Sequence, residues 1–69
     1  MESSLSQRLL AVANDDANDI DALIRARNLK WLSASDKRVL GRIIDGEEMT
    51  EDWFRIRRIA NSIEEQEES

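Results

Sequence analysis

Four aspartates within seven residues, Asp15, Asp16, Asp19 and Asp21, and three arginines within four, Arg55, Arg57 and Arg58, are the groupings best suited to chemistry. Clustered carboxylates could hold a hard cation. A calcium loop, however, needs the spacing D-x-[DN]-x-[DN]-G, and residues 15–21 do not have it. The run reads instead as a solvated helix-cap region, because Asp and Asn accept hydrogen bonds from nearby backbone N–H groups. His and Cys are both absent. The usual general base, the thiolate nucleophile and the transition-metal ligands are therefore missing. No glycine-rich loop is present to cradle a phosphate. The expectation is a protein that is not an enzyme and holds no metal or cofactor.

The arginines admit two readings. Helix, glycine-containing turn, helix is the outline of a helix-turn-helix DNA reader, with Arg55, Arg57 and Arg58 on its last helix. Glu47, Glu48, Glu51 and Asp52 stand where such a helix would meet phosphates, and each would repel them. The second reading takes positions 54, 57, 58 and 61, related by i+3 and i+4. Phe54, Arg57, Arg58 and Asn61 then form one outward patch, an aromatic ringed by guanidiniums, and those residue types dominate interface hot spots. Phe54 could equally pack under the N-terminal helices or into a dimer seam. The carboxylates of residues 47–52 and the C-terminal end could also imitate a nucleic acid, but a solubilising surface explains them more simply.

The elements that must position these residues are helical. Proline is absent, and only Gly41 and Gly46 could break a helix by composition. Leu, Ile, Ala, Arg and Glu dominate, which favours helix over strand. Ser3 or Ser4 can cap a first helix running to about Ala13, with Leu5, Leu9 and Val12 as its apolar stripe. Residues 14–19 predict a break, with Asp15, Asp16 or Asn18 capping a second helix to about Lys30. That helix would bury Ile20, Leu23, Ile24 and Leu29. One continuous helix is the competing reading. Trp31 and Trp53 read as core or dimer anchors.

Ser33, with Asp36 three residues on, resembles a capping box for a third helix whose inner arc is Val39, Leu40, Ile43 and Ile44. Gly46 falls where a left-handed C-cap is wanted. Thr50 can cap a fourth helix, and at 100 degrees per residue Trp53, Ile56, Ile59, Ala60 and Ile63 share its inner face. The expected fold is all-α, a small bundle of three to four helices, the last two forming a helical hairpin.

Charge is uneven. Residues 46–69 carry eight acids and three bases, which accounts for the net charge of −5. The domain is expected to span residues 1–63, with 64–69 a disordered acidic tail, because carboxylates at a helix C-terminus oppose its dipole. No run approaches the ~18 to 20 apolar residues of a membrane span, and the first residues lack a signal peptide's pattern. A cytoplasmic location follows as the default. With no disulfide or metal to staple so small a core, association into a homodimer is expected.

Leu32-Ser33, Asp36, Leu40, Ile43, Gly46, Met49-Thr50, Ile56 and Ile59 together resemble a two-helix segment of small phage and prophage accessory proteins. In that segment a second Leu-Ser or Leu-Thr opens the last helix, commonly followed by Lys-Gln; here Met49-Thr50 is followed by Glu51-Asp52. The resemblance covers residues 32–63 and implies a helical accessory protein, with no functional residue carried over. The function expected is a small non-enzymatic regulator or inhibitor that binds a protein partner.

Overall fold

Capping and apolar spacing divide the chain into four helices. The computed structural model describes residues 4–68, and these form α1 (Leu5–Ala13), α2 (Ile20–Arg27), α3 (Ala34–Ile44) and α4 (Thr50–Glu68). No strand occurs among the described residues, so the fold is an all-α bundle ending in a helical hairpin. None of the helices is long and apolar enough to cross a membrane.

Each boundary has a local cause. The Ser4 hydroxyl accepts the Gln7 N–H at 3.2 Å, and Gln7 Oε1 accepts the Ser4 N–H at 3.2 Å. This reciprocal capping box satisfies two donors that a helix start leaves unpaired. Ser3, the other expected cap, lies outside the described residues. At the far end of α1 the Asp16 N–H donates to the Ala11 carbonyl at 2.9 Å and the Asp15 N–H to that of Val12 at 3.0 Å. These two bonds make a Schellman motif, which requires a left-handed residue, and Asp15 supplies it with φ 61°. α3 ends the same way at Gly46, φ 76°, with the Glu47 N–H donating to the Arg42 carbonyl at 2.8 Å. Glycine adopts that conformation without a steric penalty, whereas aspartate does not. Asp15→Gly is therefore expected to stabilise the fold by about 0.5–1 kcal/mol, raising the midpoint of thermal unfolding by roughly 2–8 °C. A melt followed by circular dichroism checks it.

The break expected at residues 14–19 is present. Its capping residue is Asp19, not Asp15, Asp16 or Asn18: the Asp19 carboxylate accepts the Ala22 N–H at 3.1 Å. Arg8 of α1 grips the same carboxylate at 2.7 and 2.8 Å, which selects Asp19 over its neighbours. α2 stops at Arg27 instead of Lys30, because the chain tightens there and the Leu29 N–H reaches back to the Ala26 carbonyl. Its inward face is Ala22, Leu23 and Ala26, all fully buried. Ile24 lies about 100 degrees round from Leu23 on the helical wheel and stays 37% exposed, against expectation. Leu32 takes the core position in the α2–α3 joint, leaving its neighbour Trp31 exposed and outside the core of the chain.

Leu9 and Val12 of α1, Leu23 of α2, Val39, Leu40 and Ile43 of α3, and Ile56, Ile59 and Ile63 of α4 form one continuous core. Trp53 packs half-buried against it. α4 packs most extensively on α1, and α2 on α3, with the α3–α4 contact less extensive than either. The radius of gyration, 10.9 Å, matches the roughly 11 Å of a folded chain of this length. Residues 64–68, expected as a tail, continue α4 as helix. Ile63 is buried at the base of that segment, and an anchored helix gains one backbone bond per added residue, which outweighs the modest dipole penalty.

Candidate partner-binding site

The register of α4 is set by a buried carboxylate. Asp52, in the first turn, is 1% exposed. It accepts from Arg42 Nε at 2.8 Å and Nη2 at 2.6 Å, and from the Met49 N–H at 3.0 Å. The paired guanidinium, aided by the backbone donor, holds this carboxyl at a pKa of about 2 despite the opposing effect of desolvation. Two sequence expectations change here. Asp52 is not a surface acid facing phosphates, and the first turn is capped by Asp52 reaching back to Met49, with Thr50 inside the helix. Between α1 and the start of α2, Arg8 holds Asp19 below its ordinary pKa in the same bidentate manner. Arg25 and Arg8 both pair with Asp21. Two of the four acids in the run, Asp19 and Asp21, are thus tied to arginines, and among the described residues no cluster of acids is arranged to hold a metal.

With α4 locked, its outer face presents Phe54, Arg57, Arg58 and Asn61, all exposed. Phe54 is 66% exposed, the most of any large apolar side chain in the described chain. It is not packed under the N-terminal helices. Arg57 Nη2 donates to Asn14 Oδ1 at 2.8 Å, pinning the start of α4 to the end of α1. Between them lies a cleft of about 460 Å³ lined by Ala13, Asn14, Asp15, Thr50, Trp53, Phe54 and Arg57. Of the patch expected from helical spacing, Phe54 and Arg57 thus form part of one wall of a groove, while Arg58 and Asn61 lie outside its lining. Its other wall, residues 13–15, comes from the α1 C-terminus, and no local signal in the sequence pairs it with α4.

Arg55 turns away from this face toward α3, with Nη1 3.5 Å from Ser35 Oγ and from Asp36 Oδ1. Asp36 itself is bonded through its N–H to the Ser33 hydroxyl at 3.2 Å, the cap expected there. A second cleft of about 420 Å³ separates α3 and α4, lined by Arg38, Arg42 and Arg55 but also by Glu51 and Asp52. Its charges largely cancel. Fold and site together define a small all-α bundle with one exposed aromatic–arginine face. No protein-family model matches the chain, and neither does any curated protein or solved structure.

Proposed function

We propose that the chain is a small non-enzymatic regulator or inhibitor, acting in the cytoplasm by docking on a protein partner through Phe54, Arg57, Arg58 and Asn61. The observation that carries this reading is the exposure of Phe54 on the rim of a groove that also holds Trp53. Leaving a phenyl ring in water forgoes about 1.5–3 kcal/mol of burial, a cost that a binding surface explains. The flanking guanidiniums supply the directional contacts typical of such sites. The likeness of residues 32–63 to phage accessory segments fits a role of this kind. A helix-turn-helix role is less well supported, since Arg55 is engaged within the fold by Asp36.

Affinity capture from the native host, followed by titration of each captured protein against the purified chain, tests the proposal. Phe54→Ala and Arg58→Ala are each expected to weaken binding about 10- to 100-fold, equivalent to roughly 1.4–2.8 kcal/mol, with unchanged circular dichroism. Wild-type affinity in both variants for every captured protein would remove this face from the function.

A further inference from the structure

α4 is segregated by charge along its outer face. At about 100 degrees per residue, Phe54, Arg57, Arg58, Glu64 and Glu65 all lie within about 60 degrees of Asn61. All six are exposed. The N-terminal half of this stripe is basic and the C-terminal half acidic. Within the helix these charges cannot compensate one another. The positions three and four residues from Arg57 and Arg58 toward the C-terminus are Ala60, Asn61 and Ser62, and Glu64 and Glu65 reach back to those same three. None of the ion pairs among the described residues uses any of the four, and the bond from Arg57 to Asn14 goes to a neutral amide that leaves the guanidinium charge uncompensated. The last turn of α4 also has no basic residue, so its carboxylates stand uncompensated at the negative end of the dipole.

We infer that the occupant of this face is a second copy of the chain, with the two α4 helices antiparallel about a two-fold axis at Asn61. That alignment sets Arg57 and Arg58 of each copy opposite Glu64 and Glu65 of the other. The cations then meet both the carboxylates and the C-terminal end of the neighbouring dipole, so each half of the stripe supplies what the other lacks. Asn61 faces its own counterpart, where two amides can donate and accept reciprocally. Phe54 sits at each end of the seam, against the last turn of the other copy. The contact is isologous and closes at two subunits. With one large apolar side chain per copy, it is driven mainly by charge and weakens with salt. It covers the face assigned above to a protein partner, so self-association and partner docking exclude each other. The inference does not depend on that partner, and its test uses the purified chain only.

Sedimentation velocity of the full chain from micromolar to several hundred micromolar, at low salt, is expected to show a monomer–dimer equilibrium. Arg57→Glu with Arg58→Glu, and separately Glu64→Lys with Glu65→Lys, should each weaken self-association at least about tenfold. An equimolar mixture of the two variants should recover a one-to-one dimer. The lysine variant places cations where the helix dipole favours them, so lost association there is not lost folding. The chain has no cysteine; oxidised Asn61→Cys should therefore give a disulfide-linked dimer in preference to Lys30→Cys on the α2–α3 joint. A wild-type monomer throughout, reversed-charge variants that dimerise like wild type, or a mixture that stays monomeric would each overturn the inference.

Discussion

Replacing Asp52 by alanine is expected to lower the stability of the fold by about 3 kcal/mol, a fall of roughly 12–24 °C in the thermal midpoint of a domain this small. The substitution leaves Arg42 without its bidentate partner and the Met49 N–H without its acceptor. Breaking a buried pair from one side costs about 3–5 kcal/mol, and the lower end applies because the Arg42 side chain is 35% exposed and water can reach it. Asp52→Asn keeps the shape and one acceptor and should lose about half as much. Replacing both partners together, Asp52→Leu with Arg42→Met, should recover much of the loss, since no orphaned charge remains. Urea unfolding of the three variants measures all of this, and an Asp52→Ala protein within about 0.5 kcal/mol of wild type would contradict the assignment.

The same pair makes the fold sensitive to acid. Asp52 has a pKa of about 2 in the folded chain, against about 3.9 for an unperturbed aspartate. A folded value below the unfolded one means the contribution is complete above about pH 5 and is lost as pH falls through 4 toward 2. Discounted for solvent at the Arg42 end, it amounts to about 1–2 kcal/mol. Asp19, also held below its ordinary value by Arg8, adds loss in the same direction. Thermal midpoints recorded from pH 7 to pH 2.5 should therefore fall steeply below pH 4, and Asp52→Asn should flatten that fall.

Features whose partners lie within a few residues along the chain are legible in the sequence. Period-3.6 spacing identified Ile56, Ile59, Ala60 and Ile63 as the buried face of α4, and they are 0–2% exposed. Cap chemistry placed Ser33 and Gly46, because a cap is satisfied within four residues of itself. Pairings across the fold were not legible. A first-turn carboxylate at Asp52 has the ordinary look of a dipole-compensating surface acid, and only Arg42 arriving from the preceding helix makes it a buried lock. Asp15 and Asp19 are chemically equivalent in a run of turn-formers; Arg8 on α1 decides which of them caps α2. The candidate site follows the same division. Phe54, Arg57, Arg58 and Asn61 are neighbours by helical geometry alone, whereas the opposite wall of the groove, Ala13 to Asp15, joins them only through the packing of α1 on α4 and the Asn14–Arg57 bond.

That packing also predicts which truncation the fold cannot survive. The α3–α4 hairpin has the outline of an autonomous unit, yet the more extensive partner of α4 is α1. Deleting residues 1–18 removes Leu9 and Val12 from the core, together with the half-buried Leu5 and Leu10. It also removes the Arg8–Asp19 and Asn14–Arg57 ties. At about 1.5–3 kcal/mol for each large apolar side chain, the lost burial is roughly 4–9 kcal/mol, comparable to the roughly 3–10 kcal/mol expected for the whole domain. Residues 19–69 are therefore expected to show weak helical circular dichroism and no sigmoidal melt. A synthetic 1–18 peptide added in excess should restore helicity, because α1 contributes through side-chain packing that does not require a covalent link. A cooperative transition in the 19–69 fragment by itself would mean that the hairpin, and not the α1–α4 contact, holds the core together.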